Sequence, residues 1–265
     1  MHLVFDEGNT DTVLGLFHPE SLEPSSQHRF PTTSGESTDP IDLMIRGFLR
    51  DTGQSEGSVS RAVVGSVAAD RAETLREALE MFGYPKVVML EGWEGLPIGP
   101  DQTDPAQGVG ADRIANALAA ARLYRCDTII VDLGTATTFD CVGADGTFFG
   151  GVIAPGLPAG SAWLESRTPR LPPVPFGRPD RVIGRSTVDC IRSGLFYSVI
   201  DAVDGIVERI GSEWARPNTL VVGTGGHAGV LATHSRRIDR VNPDLTLVGL
   251  KIAGDHLAGD RLAGG

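Results

Sequence analysis

The chain has 265 residues, of which 41% are hydrophobic and 22% are charged, so it has the profile of a globular protein with room for one large domain or two ordinary ones. Its net charge of −11 and pI of about 4.9 argue against nucleic acid or an anionic membrane as a partner. It has 3 scattered cysteines, no apolar run of membrane-spanning length and no basic segment ahead of an apolar core. We therefore expect a cytoplasmic protein without a disulfide framework, a zinc site or a signal peptide.

A β-hairpin is predicted at the start of the chain, over residues 3–16. Two segments rich in Val, Leu and Phe flank the turn Asp6-Glu7-Gly8-Asn9-Thr10. A glycine in such a turn lets backbone N–H groups approach an anion, and an aspartate beside it can hold a cation. The turn is therefore a candidate phosphate site, with an ordinary hairpin as the alternative.

The next elements form a predicted βαβ unit. Residues 41–51 and 71–82 place apolar side chains at helical spacing, and short apolar strands are predicted at 62–67 and 86–90. Strand, helix and strand in this order indicate a right-handed crossover between parallel strands. The polar segment before residue 41 contains one short predicted edge strand, at 29–33.

A glycine loop precedes the strongest helix signal of the chain. The loop 108–113 leads directly into the apolar segment 114–123, so Asp112 and Arg113 are expected in the first turn of a helix. A carboxylate there is stabilised by the helix dipole, and the N–H groups of the first turn point at whatever occupies the loop. The pair is either a dipole-matched Asp with a solvated Arg or part of a site, and the loop and hairpins favour a site.

A second hairpin is predicted over residues 128–142, and it repeats the design of the first. Its turn contains Asp132, Gly134 and Thr135, and Thr137 and Thr138 follow. Two copies suggest two similar halves, each aiming a phosphate-binding hairpin at a shared cleft.

The remaining predicted elements are strands at 147–156, 219–224 and 245–253 and helices at 157–165 and 188–210. Ser186 or Thr187 precedes the long helix, either as a plain N-cap or as a hydroxyl that meets a ligand. The turn Gly225-Gly226 is of a kind that often borders a nucleotide.

Together these parts allow phosphoryl transfer, which needs a phosphate cradle, a divalent cation and a group that accepts the proton of the acceptor hydroxyl. The hairpin tips supply hydroxyls, N–H groups and the carboxylates Asp6 and Asp132, and an acid near phosphates typically holds Mg²⁺. Asp112 is the candidate proton acceptor, and Arg113 suits a carboxylate on the acceptor. Neither GxxxxGK[ST] nor GxGxxG after a strand is present, which excludes P-loop and Rossmann sites.

The order and combination of motifs resemble those of type III pantothenate kinases, nearly from end to end of the chain. The motifs that carry the resemblance are Asp6-Glu7-Gly8-Asn9-Thr10, Gly110-Ala111-Asp112-Arg113, Asp132-Leu133-Gly134-Thr135-Ala136-Thr137-Thr138, Gly150-Gly151-Val152-Ile153-Ala154-Pro155-Gly156, Gly184-Arg185-Ser186-Thr187 with Ser193-Gly194, Thr224-Gly225-Gly226, and Leu245-Thr246-Leu247-Val248-Gly249-Leu250. Each motif is modest alone, and the set is specific.

The resemblance implies an α/β fold of the actin-like ATPase superfamily, in which two ribonuclease-H-like halves, residues 1–115 and 116–265, flank an ATP cleft. It implies ATP-dependent phosphorylation of pantothenate to 4'-phosphopantothenate, the first step of coenzyme A biosynthesis. It also implies a homodimer whose pantothenate pocket is completed at the subunit interface.

The same resemblance implies the roles of individual residues. ATP is expected to contact Asp6, Glu7, Gly8, Asn9, Thr10, Asp11, Thr12, Val13 and Thr135. Pantothenate is expected to contact Gly110, Ala111, Asp112, Arg113 and Thr187, with Asp112 as the proton acceptor. Asp6 is expected near Mg²⁺, and Asp132 is expected to hold a monovalent cation, K⁺ or NH₄⁺.

Two positions depart from the family pattern. Members usually carry a tyrosine in a Tyr-x-Asn-Pro stretch shortly before the Gly-x-Asp-Arg loop, and it contacts pantothenate. Residues 99–110 contain no tyrosine here, and Gln102 or Thr103 is the candidate for its place. Ser198 replaces a familiar glycine, which we interpret as a packing change. The alternatives are a regulatory or accessory nucleotide-binding member of the family and a kinase of another small hydroxy acid.

Overall fold

A computed structural model describes residues 1–32, 39–102, 108–168 and 171–259. The chain divides into two compact units, of which the first comprises Met1–Arg125, Asp145–Phe148 and Asp244–Gly265 and the second Cys126–Ala144 and Phe149–Pro243. The expected ribonuclease-H-like halves, 1–115 and 116–265, stay a prediction. Within the described ranges, the helices are all too short or too polar to cross a membrane.

The strands within the described residues are β1 (His2–Glu7), β2 (Asp11–Phe17), β3 (Pro24–Pro31), β4 (Arg61–Ser66), β5 (Val87–Leu90), β6 (Gly99–Pro100), β7 (Thr128–Leu133), β8 (Ala136–Val142), β9 (Thr147–Pro155), β10 (Leu220–Thr224) and β11 (Arg240–Val241). The α-helices are α1 (Asp39–Asp51), α2 (Ala69–Met81), α3 (Ala111–Tyr124), α4 (Leu157–Arg167), α5 (Thr187–Trp214), α6 (Ala228–Leu231) and α7 (Leu245–Leu257). Both predicted hairpins, the predicted βαβ unit and the helix after the glycine loop are confirmed.

The first unit is built on a five-stranded sheet in the order β3-β2-β1-β4-β5. β1 pairs antiparallel with β2 and parallel with β4, and β4 pairs parallel with β5. Phe5 of β1 belongs to a buried core to which α1 contributes Leu49 and α2 contributes Leu79. Because parallel strands end at the same edge of a sheet, the carboxyl ends of β1 and β4 lie side by side, with Asp6 opposite Gly65.

The C-terminal segment predicted as a strand, residues 245–253, is part of helix α7, so that prediction is wrong. The helix is buried continuously from Leu245 to Asp255, and its sequence therefore lacks the polar face that would reveal a helical period. It packs against α3 at Gly249, where a Cβ would lie only 1.9 Å from the carbonyl oxygen of Ala115. A residue without a side chain is needed at this crossing.

A buried network of charged side chains joins α7 to the sheet of the first unit. Asp255 Oδ1 accepts a hydrogen bond from Arg61 Nη1 at 2.8 Å and lies 3.2 Å from His2 Nδ1. Lys251 Nζ pairs with the other carboxylate oxygen and donates to the Pro19 carbonyl at 2.9 Å. All four charged or titratable side chains are buried, so this network fixes the C-terminal helix in place.

The sheet of the second unit has the order β11-β10-β7-β8-β9. β7 pairs antiparallel with β8 and parallel with β10, which is the arrangement that β1 has with β2 and β4. Val131 and Leu133 of β7 belong to a core to which α5 contributes Phe196. Because side chains alternate along a strand, Asp132 faces the other side of the sheet.

Candidate active site

The tip of the first hairpin follows Asp6, which lies at the carboxyl end of β1. The Gly8 N–H donates to the Asp11 carbonyl at 3.0 Å and closes the turn. That amide is therefore used within the hairpin. The exposed residues Asn9 and Thr10 form the outer part of the tip, where a ligand would meet it.

Two side chains from other elements brace this tip. Thr32, directly after β3, donates from its hydroxyl to the Gly8 carbonyl at 3.0 Å. Nη2 of Arg71 in α2 lies 3.4 Å from the same carbonyl oxygen and 3.3 Å from Asn9 Oδ1, and its Nε lies 4.0 Å from Glu7 Oε1. Arg71 thus brings a positive charge to the predicted phosphate site.

The glycine loop ends at the N-terminus of α3, with Gly110 as the N-cap and Asp112 in the first turn, as predicted. Asp112 is half-buried, and its Oδ1 accepts a hydrogen bond from the Arg113 N–H at 2.8 Å. A Cβ on Gly110 would lie 2.6 Å from the same oxygen. Because Gly110 has no side chain, the carboxylate of Asp112 can fold back over the start of the helix.

The guanidinium of Arg113 lies over the ring of Phe148, which itself contacts Trp93. Its guanidinium carbon lies 5.7 Å from the ring centroid of Phe148, and the rings of Phe148 and Trp93 have centroids 5.1 Å apart. The backbone of Phe148 is fixed too, because its carbonyl accepts a hydrogen bond from the Asp101 N–H at 2.9 Å. A cation within about 6 Å of a ring centroid is attracted to the ring face, so Phe148 helps to hold the charge of Arg113 next to the predicted proton acceptor.

The tip of the second hairpin, like the first, is closed by a hydrogen bond from a glycine N–H. Asp132 lies near the carboxyl end of β7, and the Gly134 N–H donates to the Ala136 carbonyl at 3.1 Å. Thr135 is exposed at the tip. Gly156 packs so closely behind it that a Cβ would lie 2.1 Å from the Thr135 carbonyl oxygen. The second unit therefore presents a braced tip that carries both Asp132 and Thr135.

The turn after β10 lies against Asp132. Thr224 pairs with Asp132 across the parallel strands, and Gly225 follows with a φ of +89°. A Cβ on Gly225 would lie 2.4 Å from Asp132 Oδ1 and 2.8 Å from the backbone of Leu133. His227 donates its backbone N–H to the Leu133 carbonyl at 3.2 Å. Only a glycine in the left-handed region lets this turn approach the carboxylate.

The start of α5 distinguishes the two predicted hydroxyls. Ser186 is the N-cap, because its hydroxyl accepts a hydrogen bond from the Asp189 N–H at 3.1 Å. Thr187 is the exposed first residue of the helix. The capping role therefore belongs to Ser186, and Thr187 stays the candidate for contact with a ligand.

The sequence predicts Mg²⁺ near Asp6. Among the residues that the structure describes, no three His, Cys, Asp or Glu side chains cluster as a metal site. A single carboxylate suits Mg²⁺, which keeps several waters and takes its other oxygens from substrate phosphates. Asp6, which lies near the end of a buried strand, fits this description.

The two departures from the family pattern have different outcomes. Gln102 is exposed, and its Nε2 donates to the Pro100 carbonyl at 3.0 Å. Thr103 lies outside the described residues. The hydroxyl of Ser198 donates to the Leu195 carbonyl at 3.1 Å, so the serine is accommodated by its own helix.

The second unit also has an apolar pocket of about 220 Å³ between β9, α4 and α5, lined among others by Leu157, Leu195, Val199 and Val203. Large apolar side chains elsewhere in this unit are exposed, among them Ile153 at 64%, Trp163 at 61% and Ile183 at 83%. Exposed apolar side chains of this size are common at interfaces with other protein chains.

The structure places the predicted site residues in local groups. In the first unit these are the hairpin residues 6–13 and the loop residues 110–113, and in the second unit they are Asp132 with Thr135 on one hairpin and Thr187 at the start of α5. Sequence reasoning missed the positions of Arg71, Phe148 and Thr224. Only Thr224 had a signal in the sequence, because it is a polar residue at the end of a predicted buried strand, directly before two glycines.

Comparison with known sequences gives a consistent result. A family model described as type III pantothenate kinase matches residues 2–209. A protein named type III pantothenate kinase from Syntrophotalea carbinolica is 38% identical over 254 residues, which cover 95% of this chain and 97% of the relative. One of the same name from Geobacter sulfurreducens is 39% identical over 254 residues, with the same coverage of 95% and 97%.

Solved structures share the fold at lower sequence identity. The activator of the 2-hydroxyisocaproyl-CoA dehydratase from Clostridium difficile, with bound ADPNP, has a TM-score of 0.59 and 13% identity, covering 97% of this chain and 95% of that one. A putative Baf family transcriptional activator from Campylobacter jejuni has a TM-score of 0.59 and 19% identity, covering 97% and 99%. These similarities show an actin-like ATPase fold, as predicted, and carry no conclusion about activity.

Proposed function

The chain belongs to the type III pantothenate kinase family, whose members phosphorylate pantothenate with ATP at the start of coenzyme A biosynthesis, and from this premise we propose which of its residues carry the reaction. The observation that carries the proposal is the half-buried Asp112, folded over the start of α3 behind a glycine loop and followed by an oriented arginine. This arrangement joins a proton acceptor to a group that recognises a carboxylate.

The phosphates of ATP are assigned to the two hairpin tips. In the first unit the tip and its flanks supply Asp6, Glu7, Gly8, Asn9, Thr10, Asp11, Thr12 and Val13, and in the second unit the tip supplies Thr135. The braced turns and the positive charge of Arg71 support this assignment, because a preformed tip loses little conformational entropy when it binds phosphate.

Asp6 is assigned to Mg²⁺. A single carboxylate at a strand end fits an ion whose remaining ligands are waters and phosphate oxygens. When bound, Mg²⁺ neutralises negative charge on the transferred phosphoryl group.

Asp112 is assigned the role of proton acceptor. The hydroxyl oxygen of pantothenate forms a bond to the γ-phosphorus, and the bond between that phosphorus and the departing ADP oxygen breaks. The hydroxyl proton passes to the carboxylate of Asp112. Because Oδ1 already accepts the Arg113 N–H, we assign the proton to Oδ2.

Pantothenate itself is assigned to the loop residues Gly110, Ala111, Asp112 and Arg113 and to Thr187. Pantothenate carries a carboxylate, and a guanidinium binds a carboxylate through paired hydrogen bonds. The position of Arg113 over the ring of Phe148 supports this role, since the ring helps to hold the guanidinium before the substrate arrives.

Asp132 is assigned to the monovalent cation, K⁺ or NH₄⁺. The site offers carboxylate and hydroxyl oxygens rather than sulfur or imidazole ligands. Oxygen ligands of this type suit an alkali cation.

The assembly is proposed to be a cytoplasmic homodimer that binds neither nucleic acid nor membranes. The exposed side chains of Ile153, Trp163 and Ile183 support an interface, and the net charge of −11 disfavours polyanionic partners. Sedimentation is expected to give about twice the chain mass of 28.0 kDa, and a monomer would contradict the dimer.

The test of the proposed chemistry is ADP release with and without pantothenate, in K⁺ and in Na⁺, for the native protein and Asp112→Asn. We expect pantothenate-dependent release that requires K⁺ and falls by at least about 100-fold in Asp112→Asn, while ATP still binds. The control is Asp42→Asn near the start of α1, which removes an acid of the same type. Unchanged turnover in Asp112→Asn would rule out the assigned base, and product analysis with other hydroxy acids would detect a different acceptor.

A further inference from the structure

One face of the sheet in the second unit carries a row of polar side chains across three strands. The register places Thr224 of β10 opposite Asp132 of β7, and Asp132 opposite Thr138 of β8. Residues paired in this way project from the same face of a sheet. Asp132 therefore has a threonine on each side.

The two threonines differ in their hydrogen bonding. Thr138 Oγ1 lies 3.5 Å from Asp140 Oδ2, within the limit of a weak hydrogen bond. Thr224 is 0% exposed, and its Oγ1 has no hydrogen-bond partner within the part of the chain that the structure describes. Burial of a hydroxyl without a partner is unfavourable, and such a group in a folded protein calls for an explanation such as a bound ion.

The backbone around Thr224 is built to approach Asp132. Gly225 holds a φ of +89° with its Cα against the Asp132 carboxylate, so the turn leaves the strand next to Oδ1. Neighbouring strands lie about 4.8 Å apart, a spacing across which one cation can contact a side-chain oxygen from each strand.

We propose that Thr224 Oγ1 is a ligand of the monovalent cation at Asp132, an inference that rests on the cation role proposed for that aspartate. A hydroxyl oxygen adds a neutral lone pair to the charged oxygen of Asp132. Alkali cations are held by oxygen ligands of this kind, including uncharged ones.

The test compares Thr224→Val, Thr224→Ser and Thr128→Val by thermal unfolding against K⁺ concentration, with choline chloride keeping the ionic strength constant and a non-hydrolysable ATP analogue present. Thr128 is the matched control, since it is a buried threonine on the same face of β7 whose hydroxyl donates to the Cys126 carbonyl at 2.9 Å. Valine keeps the shape of threonine and removes only the hydroxyl.

We expect the Tm of the native protein to rise with K⁺. In choline, Thr224→Val should match or exceed the native Tm, because an unpaired buried hydroxyl has been removed. Thr224→Val should also need at least about tenfold more K⁺ to reach half of the K⁺-dependent increase in Tm. Thr224→Ser should keep the native K⁺ midpoint. Thr128→Val should have a lower Tm in both salts and an unchanged K⁺ midpoint.

Other results separate this inference from the proposed function. If the native protein shows no K⁺ response, both the cation role of Asp132 and this inference are overturned. If Asp132→Asn loses the response and Thr224→Val keeps the native K⁺ midpoint, only the inference falls. A lower Tm of Thr224→Val in choline, or an equal loss of analogue affinity in both salts, would assign the hydroxyl to protein packing or to the nucleotide and overturn the inference.

Discussion

The Cα of Gly225 lies against the carboxylate of Asp132, so closely that a Cβ there would stand 2.4 Å from Oδ1. We expect Gly225→Ala to lower kcat/KM about 100-fold, because a ligand of the proposed cation site is displaced by about 1 Å. The φ of +89° adds a backbone cost of about 1–2 kcal/mol in the free energy of unfolding. Steady-state kinetics and urea unfolding measure the two effects.

Gly229→Ala is the control for this substitution. Gly229 lies in α6, and a Cβ there meets no atom within 4 Å in the described part of the chain. Alanine favours a helix over glycine, so activity should stay native and stability should hold or rise. Native kinetics for Gly225→Ala would contradict this prediction, because they would show that the turn accommodates a Cβ next to the Asp132 carboxylate.

Arg71 is expected to act on ATP through the first hairpin tip. Arg71→Gln removes contacts to the Gly8 carbonyl and Asn9 Oδ1 together with a positive charge near the proposed phosphate site. We expect the KM for ATP to rise about tenfold, since a charge-assisted hydrogen bond contributes about 1.5–3 kcal/mol. Initial rates at varied ATP concentration give the value.

The matched variant is Arg76→Gln on the same helix. Arg76 pairs with Glu73 and Glu80 at the surface, away from the tip contacts. Its removal should leave the KM for ATP unchanged, because exposed ion pairs contribute little. Equal effects of both substitutions would point to the overall charge of α2 instead of a specific contact.

Arg113 is expected to determine the affinity for pantothenate through both its charge and its shape. Arg113→Lys keeps the charge but loses the planar guanidinium that lies over Phe148, so the KM for pantothenate should rise at least about tenfold with the KM for ATP unchanged. Phe148→Leu should produce a smaller change in the same direction. Arg122→Lys near the end of α3 serves as the control. An unaltered KM for pantothenate in Arg113→Lys would contradict the proposed paired hydrogen bonds between the guanidinium and the pantothenate carboxylate.

Asp255 is expected to make the stability of the first unit dependent on pH. Burial alone would raise the pKa of Asp255, but hydrogen bonds from His2 and Lys251 outweigh it, and the pKa lies below its ordinary value. A depressed folded-state pKa contributes stability that is complete above the unfolded pKa of about 3.9. That contribution is lost as the pH falls through the folded pKa.

Asp255→Asn should therefore lower the free energy of unfolding by about 3–5 kcal/mol at pH 7, because it leaves buried cations without their carboxylate. The difference from the native protein should shrink below about pH 4, as the native carboxyl becomes protonated too. Urea unfolding across this pH range measures it, with Asp51→Asn, 75% exposed, as the control. A difference that does not vary with pH would assign the effect to packing.

The sequence predicted the elements whose signals are local. Both hairpins follow from β-prone segments around a turn with Asp and Gly, and the start of α3 follows from Gly110 before a helix-forming segment. Asp112 was predicted to lie in the first helical turn, and it does. In each case the determining interactions join residues a few positions apart.

The C-terminal helix shows where local signals fail. The segment from Leu245 to Asp255 is buried by α3 and the sheet, and most of its residues are apolar or glycine. Such a run fits a strand as well as a helix. The choice was made by packing, through Gly249 at the Ala115 carbonyl and the ion pair of Asp255 with Arg61.

The sequence by itself therefore determined the family, the two hairpin tips and the identity of the candidate base. Only the tertiary structure decided that Arg71 braces the first tip, that Phe148 lies under Arg113, and that Thr224 flanks Asp132 with a buried hydroxyl. The physical reason is the range of the interactions: propensity and turn chemistry act between sequence neighbours, whereas these contacts exist only after distant segments have been brought together by the sheets.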